Sequence, residues 1–148
     1  MTHIPFLDCT LRDGGYYNQW DFPEALVQDY LYAMRDAGVD VVELGFRSVA
    51  NSSFKGACAF TTDSFLETLD IPEQLTVGVM VNGSEVSDRE SQLTVLEKLF
   101  PNTANESPVD VVRLACHVHE VSAAVDAVRW LKTKGFYVGL NLMQIADR

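Results

Sequence analysis

Short apolar runs alternate along the chain with longer amphipathic stretches. The runs at residues 4–11, 40–46, 75–82, 110–117 and 136–143 are rich in Val, Leu and Ile, and each is the length of one strand. Pro5 places the start of the first at a sheet edge. Between the runs, apolar residues recur at helical spacing. Leu26, Tyr30 and Met34, with Val27 and Leu31, form one stripe. Leu93, Leu96 and Leu99 form a second, within a helix predicted over residues 87–100. Val121, Val125 and Val128, with Ala124 and Leu131, form a third. Pro23 and Glu24 suit a first helical turn, and Gly38 and Gly135 suit helix ends. Thr62-Asp63 predicts the cap of a short helix through Leu69. Gly14-Gly15 predicts a turn that closes the first strand. Strands alternating with helices predict a parallel sheet of βα units.

Side chains alternate between faces along a strand, so each run can be split by parity. One face is aliphatic: Leu7, Cys9, Leu11; Val42, Leu44, Phe46; Leu75, Val77, Val79, Val81; Val112, Leu114, Cys116; Val138, Leu140, Leu142. The other mixes small residues with polar ones: Asp8 and Thr10; Val41, Glu43 and Gly45; Thr76, Gly78, Met80 and Asn82; Val111, Arg113, Ala115 and His117; Gly139, Asn141 and Met143. Buried polar groups are costly unless paired. A polar face recurring on five strands predicts the shared interior of a barrel, with a solvated face of a two-layer sheet as the alternative. Asp8, Glu43, Asn82, Arg113, His117 and Asn141 are the lumen candidates. Arg12, Arg47 and Arg113 can form a cationic patch that suits the carboxylate of a small oxo acid. His117 and His119 have metal-ligand spacing, but a polar lumen residue is the better reading of His117.

The 148 residues make a single domain, shorter than the roughly 250 of a complete (β/α)8 barrel. The expectation is a partial barrel, about its first five strands, either a piece of a longer enzyme or a natural half-barrel. Open edges on such a sheet predict a homo-oligomer. A net charge of -10 argues against nucleic-acid and anionic-membrane partners. Cys9, Cys58 and Cys116 are scattered with no C-x-x-C spacing, which suits reduced core thiols of a cytoplasmic protein. The N-terminus runs into the first strand without a signal peptide, and no apolar run reaches the roughly 20 residues of a membrane span.

The chemistry concentrates at Asp8-Cys9-Thr10-Leu11-Arg12-Asp13-Gly14. An Arg-Asp pair after a first strand sits where α/β folds place their sites, although position alone also fits a surface ion pair. The run resembles the first-strand signature of the HMG-CoA lyase-like, or DRE-TIM, metallolyases, which include 4-hydroxy-2-oxovalerate aldolase. The resemblance implies a metal-dependent carbon–carbon lyase acting next to a 2-oxo acid. It implies Asp13 as a ligand of Mg2+ or Mn2+ and Arg12 as the group that stabilises an enolate. A carboxylate suits a hard cation, and a fixed guanidinium suits a developing oxyanion. Tyr16 and Tyr17 stand where some related aldolases carry a histidine base, so Tyr16 is a catalytic candidate. The aromatic loop through Trp20 either lies over a site mouth or covers the barrel end. An acyl-CoA lyase, a Claisen-type acyltransferase and a non-catalytic assembly or small-ligand module remain open.

Overall fold

The computed structural model describes residues 4–50 and 52–146. Five strands pair in chain order and all run parallel: β1 (Leu7–Asp8), β2 (Val41–Phe46), β3 (Thr76–Asn82), β4 (Val111–Cys116) and β5 (Tyr137–Leu142). Neighbouring parallel strands need crossover connections, and crossovers of one hand place their helices on one side of the sheet. The sheet therefore curls with its helices outside, as a half-barrel. The outer layer is α2 (Glu24–Asp36), the short α3 (Asp63–Leu66), α4 (Gln92–Leu99) and α5 (Val121–Thr133). One more helix, α1 (Thr10–Asn18), follows β1 at the carboxyl end of the sheet.

The main core lies between sheet and outer helices. Val42, Leu44, Val79, Val81, Val112 and Leu114 meet Val27, Leu31, Leu96 and Leu131 there, all essentially without exposure. Each contributes about 1.5–3 kcal/mol by leaving water. The stripes are narrower than their periodicity suggests, because Leu26 and Leu93 are half exposed. A second, smaller cluster of Phe46, Met80 and Ala115, flanked by Trp20 and Met143, occupies the inner face.

Several local expectations are corrected. The first strand ends at Asp8 rather than Leu11, and residues 10–18 are helical through both glycines. Asp8 accepts hydrogen bonds from the Thr10 N–H at 2.9 Å and the Thr10 hydroxyl at 3.1 Å, which satisfies a free donor at the start of α1. The turn comes later, at Gln19 and Trp20, whose φ angles are 61° and 58°. Gly15 serves a different purpose: a Cβ there would fall 1.9 Å from the Trp20 ring. Asp8 also pairs in register with Val42, so it faces the helix layer instead of the lumen.

A further correction concerns β2. The register slips between Glu43 and Gly45, so Leu44 and Gly45 together oppose Val79. This bulge reverses the alternation beyond it. Phe46 turns to the inner face beside Met80, and Gly45 turns outward, where a Cβ would collide with the Cys58 carbonyl at 1.7 Å. Parity holds on β3 and β4, which pair without slippage. Thr62 caps α3 by accepting from the Phe65 N–H at 3.2 Å, although α3 stops at Leu66. A 3-10 turn, Gly83–Val86, precedes α4, so that helix begins at Gln92 and not at residue 87. Gly38 and Gly135 end their helices at φ 73° and 91°. Cys58 and Cys116 are buried free thiols, and Cys9 is a half-buried one. Among the described residues no helix is long and apolar enough to cross a membrane.

Candidate active site

Glu43 is fully buried on the inner face, and its charge organises the hollow. Arg113 grips it with two bonds, Nε to Oε2 at 2.7 Å and Nη2 to Oε1 at 2.9 Å. This fork geometry is the strong form of a carboxylate–guanidinium pair. It raises the pKa of the Arg113 guanidinium, chiefly through the hydrogen bonds it donates to Glu43's carboxylate, against the opposing effect of burial. Gly78 pairs with Glu43 and leaves the inner face open beside it.

Arg12 approaches Glu43 from α1, with Nε 2.9 Å from Oε1. The N–H is not aimed at that oxygen, so the contact is an ion pair without a formed hydrogen bond. Arg12 Nη1 donates to the Met80 thioether at 2.7 Å, and its guanidinium carbon lies 5.9 Å from the Phe46 ring centre. Nη2 lies 2.9 Å from Asp13. The Arg12 side chain is 12% exposed and that of Asp13 is 60% exposed, so the pair spans from the hollow to its mouth.

Trp20 fixes this arrangement. Its indole N–H donates to the Arg12 carbonyl at 2.8 Å. Its ring meets Phe46 and Tyr16 edge-on, with centroids 5.6 and 4.8 Å apart. Tyr16 is two-thirds exposed and stands at the rim. The aromatic loop therefore does both of the things its sequence allows: it covers the barrel end and borders the Arg-Asp pair.

Of the residues singled out in the sequence, Arg12, Asp13, Glu43 and Arg113 converge, with Tyr16 nearby. The others do not join the cluster, although Asn82 and Asn141, both in register with Ala115, share its face of the sheet. Asp8 accepts from the Tyr30 hydroxyl at 2.6 Å on the helix side. Burial alone would raise its pKa, but the hydrogen bonds from Tyr30 and Thr10 outweigh this and hold it below the usual value. Arg47 is displaced outward by the β2 bulge. Its Nε donates to the Thr61 carbonyl at 3.1 Å and Nη1 to the Leu99 carbonyl at 2.9 Å, while Nη2 pairs with Asp63. Asn82 ends β3 beside the 3-10 turn that follows it. Asn141 is exposed on β5. His117 stacks on His119, with centroids 5.7 Å apart, and its backbone N–H donates to the Glu120 carboxylate at 2.8 Å. Sequence reasoning missed Met80 and Phe46 as partners of Arg12. The parity of Met80 pointed to it, while the bulge concealed Phe46.

Among the described residues no three His, Cys, Asp or Glu side chains cluster as a metal shell. Asp13 is an accessible hard oxygen donor and fits as one ligand of a divalent cation. Glu43 does not fit that role, since two guanidiniums already neutralise it.

No family model and no curated protein matches the chain. Among solved structures, the half-barrel is similar to the N-terminal domain of a putative aldolase from Bacteroides vulgatus. The two share 31% identity over 97% of this chain, with a TM-score of 0.77. This chain spans 46% of the length of that one. Fold and sequence together make it an aldolase-like α/β half-barrel, the inner face of which carries the Arg12–Glu43–Arg113 cluster.

Proposed function

We propose that this chain is the N-terminal part of a metal-dependent carbon–carbon lyase that acts next to the oxo group of a 2-oxo acid, in the manner of a 4-hydroxy-2-oxovalerate aldolase. The observation that carries the reading is the unfinished hydrogen bonding of Arg12. A guanidinium has five donors. Arg12 presents Nη1 to a thioether, a weak acceptor, and its buried Nε has no aligned acceptor among the described residues. An oxyanion placed over Met80 would complete it.

In the proposed cleavage a base removes the proton of the 4-hydroxyl. The C3–C4 bond breaks, an aldehyde leaves, and the bonding pair passes through C3 and C2 to the oxo oxygen. Arg12 stabilises that enolate oxygen, and protonation at C3 then gives the shorter 2-oxo acid. Tyr16 stands at the rim as a candidate to carry a proton. Asp13 would give Mg2+ or Mn2+ one ligand, and such an ion would polarise the oxo group. Acyl-CoA lysis and Claisen-type acyl transfer would use the same enolate site. The free thiols suit a reducing compartment such as the cytoplasm.

The test is pyruvate release from 4-hydroxy-2-oxo acids by the full-length protein with added Mn2+. Turnover lost in Arg12→Ala is the expected result. No turnover, or turnover indifferent to that change, removes the proposal. A second reading, an assembly module, rests on Leu140 and Leu142, which leave apolar side chains part-exposed on one face of β5. It expects a homo-oligomer that a Leu140→Lys change dissociates, as read by light scattering.

A further inference from the structure

We infer that Arg113 and Arg12 together form the subsite for the substrate's carboxylate, which makes the ligand a small 2-oxo acid anion and excludes its neutral ester. This rests on the reading just given and adds which side chains hold the charged end.

The geometry comes from one layer of the sheet. Phe46 pairs with Met80, Met80 with Arg113, and Arg113 with Gly139, so these four stand at one level across β2 to β5. Arg12 enters the same level from α1 through its contact with Met80. Both guanidiniums also touch Oε1 of Glu43, each at 2.9 Å, which keeps them close together.

The charges do not cancel inside this layer. Two cations face one fully buried anion, while the compensating Asp13 is largely in water and screened. A chain of net charge -10 thus keeps a local positive excess in its hollow. The donors are free as well. Arg113 holds Glu43 with Nε and Nη2, and its Nη1 meets no acceptor among the described residues. Its side chain is 26% exposed, open to a ligand. Gly139 permits this pose: a Cβ there would press on the Arg113 stem, 3.3 Å from Cγ.

A carboxylate would take one oxygen to Arg113 Nη1 and the other to Arg12 Nη1, which exchanges a thioether for an anionic acceptor. The adjacent oxo group would then lie beside Arg12.

The experiment compares oxalate, pyruvate and methyl pyruvate binding to the full-length protein by titration calorimetry. Deuterium uptake at the pyruvate methyl, followed by NMR, reports the enolate separately. Arg113→Met keeps the stem and removes the donors. It is expected to weaken oxalate and pyruvate about 10- to 100-fold, with partial recovery in Arg113→Lys and no change for methyl pyruvate. Gly139→Ala retains both charges and is expected to weaken oxalate severalfold with an unaltered circular dichroism spectrum. Oxalate affinity unchanged by both Arg113→Met and Gly139→Ala overturns the subsite, whatever the deuterium result. Arg113-dependent oxalate binding without deuterium uptake supports the subsite and removes the enolate reading. A wild-type protein that neither binds these anions nor exchanges deuterium overturns both.

Discussion

Two buried arginines in this chain meet carboxylates on opposite faces of the same sheet, and they differ in what they leave undone. Arg47, in the outer layer, has all three nitrogens matched, and it lies 4.9 Å over the Phe100 ring centre. Its partner Asp63 is matched too, accepting from Asn102 and Ser107 at 2.8 Å each. That knot ties the β2–α3 connection to the end of α4 and leaves no nitrogen of Arg47 without an oxygen partner. Arg12, on the inner face, touches Glu43 and Asp13 but keeps one nitrogen on sulfur and one without an aligned acceptor. Saturation, more than burial or charge, separates the arginine that holds the fold from the one equipped for chemistry. A 380 Å³ cleft beside Arg47, lined in part by Val49, Phe60 and Lys98, does not change this, because each nitrogen of Arg47 already has an oxygen partner.

The largest effect expected from breaking this contrast is on the outer knot. Arg47→Met would strand Asp63 and two carbonyls, at a cost of about 3–5 kcal/mol in urea unfolding. The fraction that folds should keep its affinity for oxalate. Arg12→Ala should act in the opposite sense, with turnover reduced about 10²–10³-fold and a much smaller loss of stability. Equal behaviour of the two variants in both assays would dissolve the distinction.

Gly15→Ala tests the support beneath Arg12. The added methyl must displace the Trp20 indole, and overpacking of this kind costs about 1–3 kcal/mol. Trp20→Phe, which keeps a ring but loses the N–H bond to the Arg12 carbonyl, should cost about 1 kcal/mol. Both should lower turnover along with stability, as read by kcat against thermal midpoint.

The smallest expected effect is an acid limb. Burial raises the pKa of Asp63, but the Arg47 charge and the hydrogen bonds from Arg47, Asn102 and Ser107 outweigh it and hold the carboxyl below its ordinary 3.8. Asp8 is lowered in the same direction by Tyr30 and Thr10. A depressed folded-state pKa contributes stability that is complete above the unfolded value and fades as pH falls through the folded one. Unfolding midpoints should therefore decline below about pH 4, and the slope should lessen in Asp63→Asn.

Much of the fold was legible because regular pairing preserves alternation. On β3 and β4 every parity assignment holds, and Arg113 was placed inside from sequence alone. Glu43 was legible for the same reason, since it precedes the slip in β2. Phe46 and Arg47 were not, because a bulge leaves no trace in the hydrophobic pattern and exchanges every side chain beyond it. The helicity of residues 10–18 was hidden by Gly14-Gly15, whose weak intrinsic preference for helix yields here to the Trp20 contact. Asp8 belonged to a polar series by spacing, yet it turns to the helix side, where it accepts from Thr10 and Tyr30. The convergence of Arg12 with Met80 is a tertiary fact that no local pattern encodes.

One added residue in β2 keeps Arg47 out of the hollow. Shortening the strand by one position near Leu44 would rotate Phe46 toward the helices and swing Arg47 into the hollow, adding a third guanidinium beside Arg12 and Arg113 and breaking the outer knot with Asp63. The charge of the hollow is therefore set by a count of residues as much as by their kind, and a single-codon deletion would rewire the interior without introducing a new side chain.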